Sequence, residues 1–254
     1  MSFLRTRVRF PPSPQISWLE LRSLRAPFLM NIIDLIYPKK CLECGKDGTY
    51  ICDNCLSEVG KPPPVCLICK RPSRNGMTHK GCRDGLSIDY IYSPWNYTGV
   101  IRKAILKLKY NFAYDIANEL SERFLEKLKK DMDILPKDAI VCPIPLHRLR
   151  QNWRGFNQSE LIAKNVSKGM DWQFYPDILL RKKLTKPQTE LKGKERKENI
   201  KGVFVFNSRY SKLKRSTPII LFDDVLTTGS TIKEAARVLK RNAFKVVWDL
   251  TIAR

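Results

Sequence analysis

Histidine is scarce in this chain: His79 and His147 are the only two in 254 residues, so no dedicated general acid is evident. No run of 18 apolar residues occurs either, which excludes a membrane-spanning helix of ordinary length. Acidic residues are outnumbered, 25 against 47 basic ones, for a formal charge of +22. That balance points toward anionic partners such as nucleic acid or phosphorylated metabolites, although a solvated lysine-rich surface has the same composition. Cysteine is nearly confined to one stretch, with seven of eight between positions 41 and 82. The length suffices for one medium domain and a small one.

Residues 1–29 contain no continuous apolar h-region of a secretory signal. They are expected to be a spurious or disordered extension, with Met30 as the true start. "VRF" is what GTT-CGA-TTC encodes, the T-loop consensus of a transfer RNA gene. Those residues hold five Arg and one Glu, so losing them leaves 22 − 4 = +18.

Without a secretory signal the thiols are expected to stay reduced in the cytoplasm. "CLECGKDGTYICDNC" offers Cys41, Cys44, Cys52 and Cys55, and "CLICKRPSRNGMTHKGC" offers Cys66, Cys69, His79 and Cys82. A CxxC knuckle places two thiolates on one tetrahedral ion, and these eight ligands fill two closed sites. Closed sites leave no position for water, so two structural zincs are expected to support a segment, residues 30–87, too short for its own apolar core. The pairing is either sequential or cross-braced between the stretches. Cys142 reads as a buried strand residue.

"LFDDVLTTGST", residues 221–231, follows the apolar run "PIIL" and precedes "TIKEAARVLK", whose Ile232, Ala235, Ala236 and Leu239 recur at helical spacing. The stretch therefore reads as strand, loop and helix start. Asp223 and Asp224 fall at the carboxyl end of the strand, where open α/β sheets bind ligands. Thr227, Thr228, Gly229, Ser230 and Thr231 lead into a helix N-terminus, whose outward amides attract anions. Gly229 permits close backbone approach, the hydroxyls add donors, and acceptor-only carboxylates suit a sugar diol. Together they describe a ribose 5-phosphate site; the alternative is a helix cap beside solvated aspartates.

From residue 88 onward the pattern alternates between helix and strand. Ile101, Ile105 and Leu108, then Ile116, Leu120, Phe124 and Leu128, mark two helices. "AIVCPIPL" reads as a strand, 159–168 as a helix, "VFVF" as a strand and "KVVWDLTIA" as a closing strand, giving an α/β doubly wound domain over 88–254. Between the first of these strands and its helix, Arg148, Arg150 and Arg154 could clamp a second phosphate group. Trp153 and Phe156 beside them could stack the bases of a single strand. Residues 181–201 carry nine basic and three acidic residues, net +6, as a solvated loop or a cover for a polyanion.

The ribbon cysteines, "ILKLKY", "PIPLHRLRQNWRGFNQSELIA", the frame of Arg181, Thr185, Gln188, Leu191, Arg196 and Asn199, and "FDDVLTTGST" occur in order. With these motifs the sequence resembles the ComF family over nearly the whole chain after Met30. Members of that family join a zinc ribbon to a type I phosphoribosyltransferase-like domain. The resemblance implies that Asp223 and Asp224 face the ribose of 5-phosphoribosyl 1-diphosphate, Thr227 to Thr231 its 5-phosphate, and Arg148 and Arg154 its diphosphate, with Mg²⁺ shared between substrate oxygens. It also implies a cytoplasmic role in natural transformation, with single-stranded DNA and competence proteins as partners. A metabolic phosphoribosyltransferase, moving ribose 5-phosphate to a base through an oxocarbenium-like state, is the alternative. His79 and Phe222 depart from the family's usual Cys and Val, and no base-recognition signature is present.

Overall fold

The structure is a computed structural model that describes residues 38–110, 114–146, 157–182 and 200–254. Residues 1–29 and Met30, His147, Arg148, Arg150, Trp153, Arg154 and Phe156, and most of the basic run lie outside the described residues.

Five parallel strands form the main sheet: β1 (Tyr90–Tyr92), β2 (Ile140–Pro143), β3 (Gln173–Phe174), β6 (Ile219–Val225) and β7 (Val247–Ala253), in the order β1-β7-β6-β2-β3. Every residue of β7 is buried, as is usual for a parallel strand covered on both faces. The closing strand read from the sequence is present as β7, the last element of the chain, and in the sheet it lies between β1 and β6. The strand read at "VFVF" is also present, but outside the main sheet. It is β5 (Phe204–Phe206), which pairs antiparallel with β4 (Leu179–Arg181) in a separate ribbon. Of its three residues only Phe204 is buried, which is too little for the interior of a parallel sheet.

Besides the short α1 (Asp53–Ser57), the helices α2 (Gly99–Tyr110), α3 (Tyr114–Asp131), α4 (Gln158–Met170) and α5 (Ser230–Arg241) divide between the faces. Ile101, Ile105 and Leu108 of α2, and Ile116, Leu120, Phe124 and Leu128 of α3, pack with Phe222, Leu250 and Ile252 on one side. Ile232, Ala235, Ala236 and Leu239 of α5 pack with Ile219, Leu221 and Val247 on the other. Both helical periods read from the sequence are thus buried, and the two-faced α/β arrangement holds. Cys142 is fully buried in β2, and burial pushes its thiol up to about 12.

The cysteine segment was expected to be too short for its own apolar core, and its apolar residues pack into the sheet's two cores. Ile51 and Val59 belong to the α2–α3 side, whereas Leu67 and Ile88 belong to the α5 side. Polar contacts fasten the first half: the Glu119 carboxylate on α3 accepts from the amides of Tyr50 (3.0 Å) and Ile51 (2.8 Å) and from the Thr49 hydroxyl. Arg123 pairs with Asp53 at 2.8 Å and Lys103 with Glu43 at 3.0 Å.

Candidate functional site

Asp223 and Asp224 occupy the last turnward positions of β6, one step before the chain leaves the sheet. Parallel register sets Phe222 beside Pro143, so the chain leaving β2 emerges at the same edge. Helix α4 begins there too, because its N-cap Asn157 accepts from the Ser159 amide and donates to the Ile144 carbonyl at 3.2 Å. That start presents two side chains to the aspartates. Gln158 donates to Asp224 Oδ2 at 3.1 Å, and the Ser159 hydroxyl lies 3.5 Å from Asp223 Oδ1, which also accepts the Asp224 amide at 2.9 Å. Asp224 is buried and Asp223 half-buried. Sequence reasoning did not single out Gln158 and Ser159; the Asn-Gln-Ser start of a helix was the available signal.

Past β6, the loop turns at Gly229, whose φ of +75° places it in the left-handed region as the N-cap of α5. The Thr228 hydroxyl lies 2.9 Å from the Ser230 hydroxyl and accepts the Ser230 amide at 3.3 Å. The Gly229 carbonyl accepts the Lys233 amide at 2.9 Å as α5 begins, so the positive end of the helix faces this loop. Thr227 is exposed and Thr231 half-exposed. The structure therefore brings Asp223, Asp224 and Thr227 to Thr231 to one edge, whereas Arg148 and Arg154 lie outside the described residues.

A further cation reaches this loop from the cysteine segment. Lys70 donates through Nζ to the Thr228 carbonyl at 3.4 Å. Burial, then the charges of Lys233 and Arg254, push its ammonium below the usual lysine value.

The eight ligands form two sets. Cys41, Cys44, Cys52 and Cys55 gather in one and Cys66, Cys69, His79 and Cys82 in the other, with ligand atoms within 4.8 Å of one another in each. The pairing is sequential, not cross-braced. Cys44 and Cys52 sulfurs stand 3.7 Å apart, close to the edge of about 3.8 Å between thiolates held about 2.3 Å from a tetrahedral zinc. In the second set His79 Nδ1 lies 3.4 Å from Cys69 Sγ, and Nε2 donates to the Pro72 carbonyl at 3.0 Å. A donating Nε2 leaves Nδ1 as the ligand atom, the outer-shell bond that orients a zinc-bound imidazole. Burial opposes ionisation of Cys41, yet the amides of Cys44, Cys52 and Glu43 and the Cys52 thiol hold it down at about 6. Hydrogen bonds from the Arg71 amide and side chain lower Cys69 to about 6. Both sets are thus compatible with structural zinc, and elemental analysis is expected to find about two zincs per chain. His79→Ala is expected to lower the count toward one; an unchanged count would remove His79 from the ligands.

Residues 32–84 match the double zinc ribbon domain family. Competence protein F of Haemophilus influenzae is 26% identical over 227 residues, covering 84% of this chain and 97% of that protein. Over most of its length the chain is similar to competence proteins of this kind, ComFC of Bacillus subtilis included at 27% identity over 204 residues. The DNA utilization protein YhgH of Escherichia coli K12 is 29% identical over 212 residues, covering 79% of this chain and 89% of its own length. An adenine phosphoribosyltransferase from Leishmania donovani aligns over 63% of this chain and 60% of its own at 19% identity, with a TM-score of 0.29, too low to carry an argument. No helix among the described residues is long and apolar enough to cross a membrane.

Proposed function

We propose that this protein binds phosphoribosyl diphosphate at the 223–231 edge and single-stranded DNA on its basic surface, acting in the cytoplasm on DNA imported during natural transformation. The observation that carries the ligand reading is the succession of two carboxylates, a left-handed glycine and a helix N-terminus at the carboxyl edge of the central strand β6. Asp223 and Asp224 take the ribose diol, the 227–231 loop takes the 5-phosphate, and Arg148 and Arg154 take the diphosphate. Acceptor-only carboxylates at the diol also suit Mg²⁺ arriving with the ligand, which would neutralise diphosphate charge. The DNA reading is supported by the charge of +18 that remains without residues 1–29, by Arg150, Trp153 and Phe156, and by the competence and DNA-utilization names of the relatives.

Two titrations of the purified protein test this, one with phosphoribosyl diphosphate and Mg²⁺ and one with labelled single-stranded DNA. DNA affinity is expected to fall with salt at a slope of about −0.7 per phosphate neutralised. Trp153→Ala is expected to cost about 1–3 kcal/mol of it if a base stacks there. Phosphoribosyl diphosphate binding without DNA binding would favour transfer of ribose 5-phosphate to a base; absence of both would end the reading.

A further inference from the structure

The two cysteine knuckles repeat one backbone pattern. In the first, the Cys41 amide donates to the Lys46 carbonyl and the Gly45 amide to the Cys41 carbonyl. In the second, the Cys66 amide donates to Arg71 and the Lys70 amide to Cys66. Gly45 and Lys70 are therefore equivalent positions, and both are left-handed, at φ +77° and +62°. Glycine adopts that conformation without strain, whereas a lysine does so at a cost. Strain of this kind is kept where the side chain has a use. Here the Lys70 side chain leaves its own knuckle and ends at the Thr228 carbonyl, on the loop already read as the phosphate site.

The same knuckle supports the loop from beneath. Leu67 is fully buried, and its Cδ1 would lie 2.5 Å from a Cβ placed on Gly229, so the two segments touch as closely as glycine permits.

We propose that the second zinc knuckle forms one wall of the anion site, with Lys70 supplying a cation to the bound phosphate group and Leu67 seating the loop that holds it. This rests on the anion reading of the 227–231 loop given above.

The test compares full-length, zinc-loaded wild type with Lys70→Gly and Lys70→Arg, using ribose 5-phosphate as the probe in calorimetry, with thermal melting and zinc content measured alongside. Lys70→Gly relieves the left-handed strain, so it is expected to keep both zincs and melt no lower than wild type. Its affinity is expected to fall about five- to tenfold, the loss of one exposed charge-assisted contact, and Lys70→Arg is expected to restore most of it. A purely structural lysine predicts the reverse, a gain in stability without loss of affinity. Lys70→Gly binding within twofold of wild type would overturn the wall while leaving the anion site standing. Wild type binding neither ribose 5-phosphate nor phosphoribosyl diphosphate would overturn both.

Discussion

Asp223→Ala combined with Asp224→Ala is expected to weaken phosphoribosyl diphosphate binding at least a hundredfold, measured by calorimetry with Mg²⁺ present. Each carboxylate would accept a hydroxyl in a charge-assisted bond worth about 1.5–3 kcal/mol, and 1.4 kcal/mol is a factor of ten in affinity. The two residues have unequal structural duties. Asp224 is buried and accepts from Gln158 at 3.1 Å, so its removal leaves an amide at the start of α4 without that acceptor, costing about 1–3 kcal/mol of stability. Asp223 is half-buried, and its Oδ1 accepts the Asp224 amide. Asp224→Asn retains an oxygen for Gln158, so Asp223→Ala with Asp224→Asn separates ligand loss from fold loss. A folded variant of that kind that binds as wild type does would reduce the stretch to a helix cap beside two strand-end carboxylates.

The strand, loop and helix of 219–241 were legible because their signals are local: an apolar run, then hydroxyls and glycine, then apolar residues at helical spacing. The two helices after Gly99 were legible for the same reason, and each apolar position named for them is buried. The zinc ligands were readable from spacing, but their partition was not, since both pairings use the same eight residues. Strand order was hidden because runs such as "KVVWDLTIA", buried on both faces, look alike at the centre of a sheet and near its edge. Strands β1 and β3, three and two residues long, are too short to show a period. Least legible was the meeting of Leu67 and Lys70 with Gly229 and Thr228, because a contact between distant segments leaves no mark in either one. The only sequence trace is a lysine after Cys69 where the first knuckle has glycine, and its meaning depends on a φ of +62°.

Gly229→Val is expected to abolish measurable anion binding and to lower stability by about 2–5 kcal/mol. The left-handed backbone at φ +75° charges any residue with a Cβ about 1–2 kcal/mol. Forcing extra carbon into a packed contact adds about 1–3 kcal/mol. That contact is Leu67, with Cδ1 at 2.5 Å and Cδ2 at 3.2 Å from the new Cβ, and Leu67 is fully buried and cannot swing into solvent. Of the two sides, the loop gives way more readily, since Thr227 beside it is exposed. Displacing the loop moves the first amides of α5 away from the phosphate, so binding is lost even where the sheet survives. Leu67→Ala distinguishes the two contributions. Alone it opens a cavity and costs about 2–5 kcal/mol, but in the Gly229→Val background the clash is relieved while the backbone strain remains. Chemical denaturation of the four proteins should therefore show the double variant to be more stable than the sum of the single costs requires, with a coupling of about 1–3 kcal/mol. Strictly additive costs would mean that Leu67 and Gly229 do not bear on one another, and the contact between knuckle and loop would fall with them.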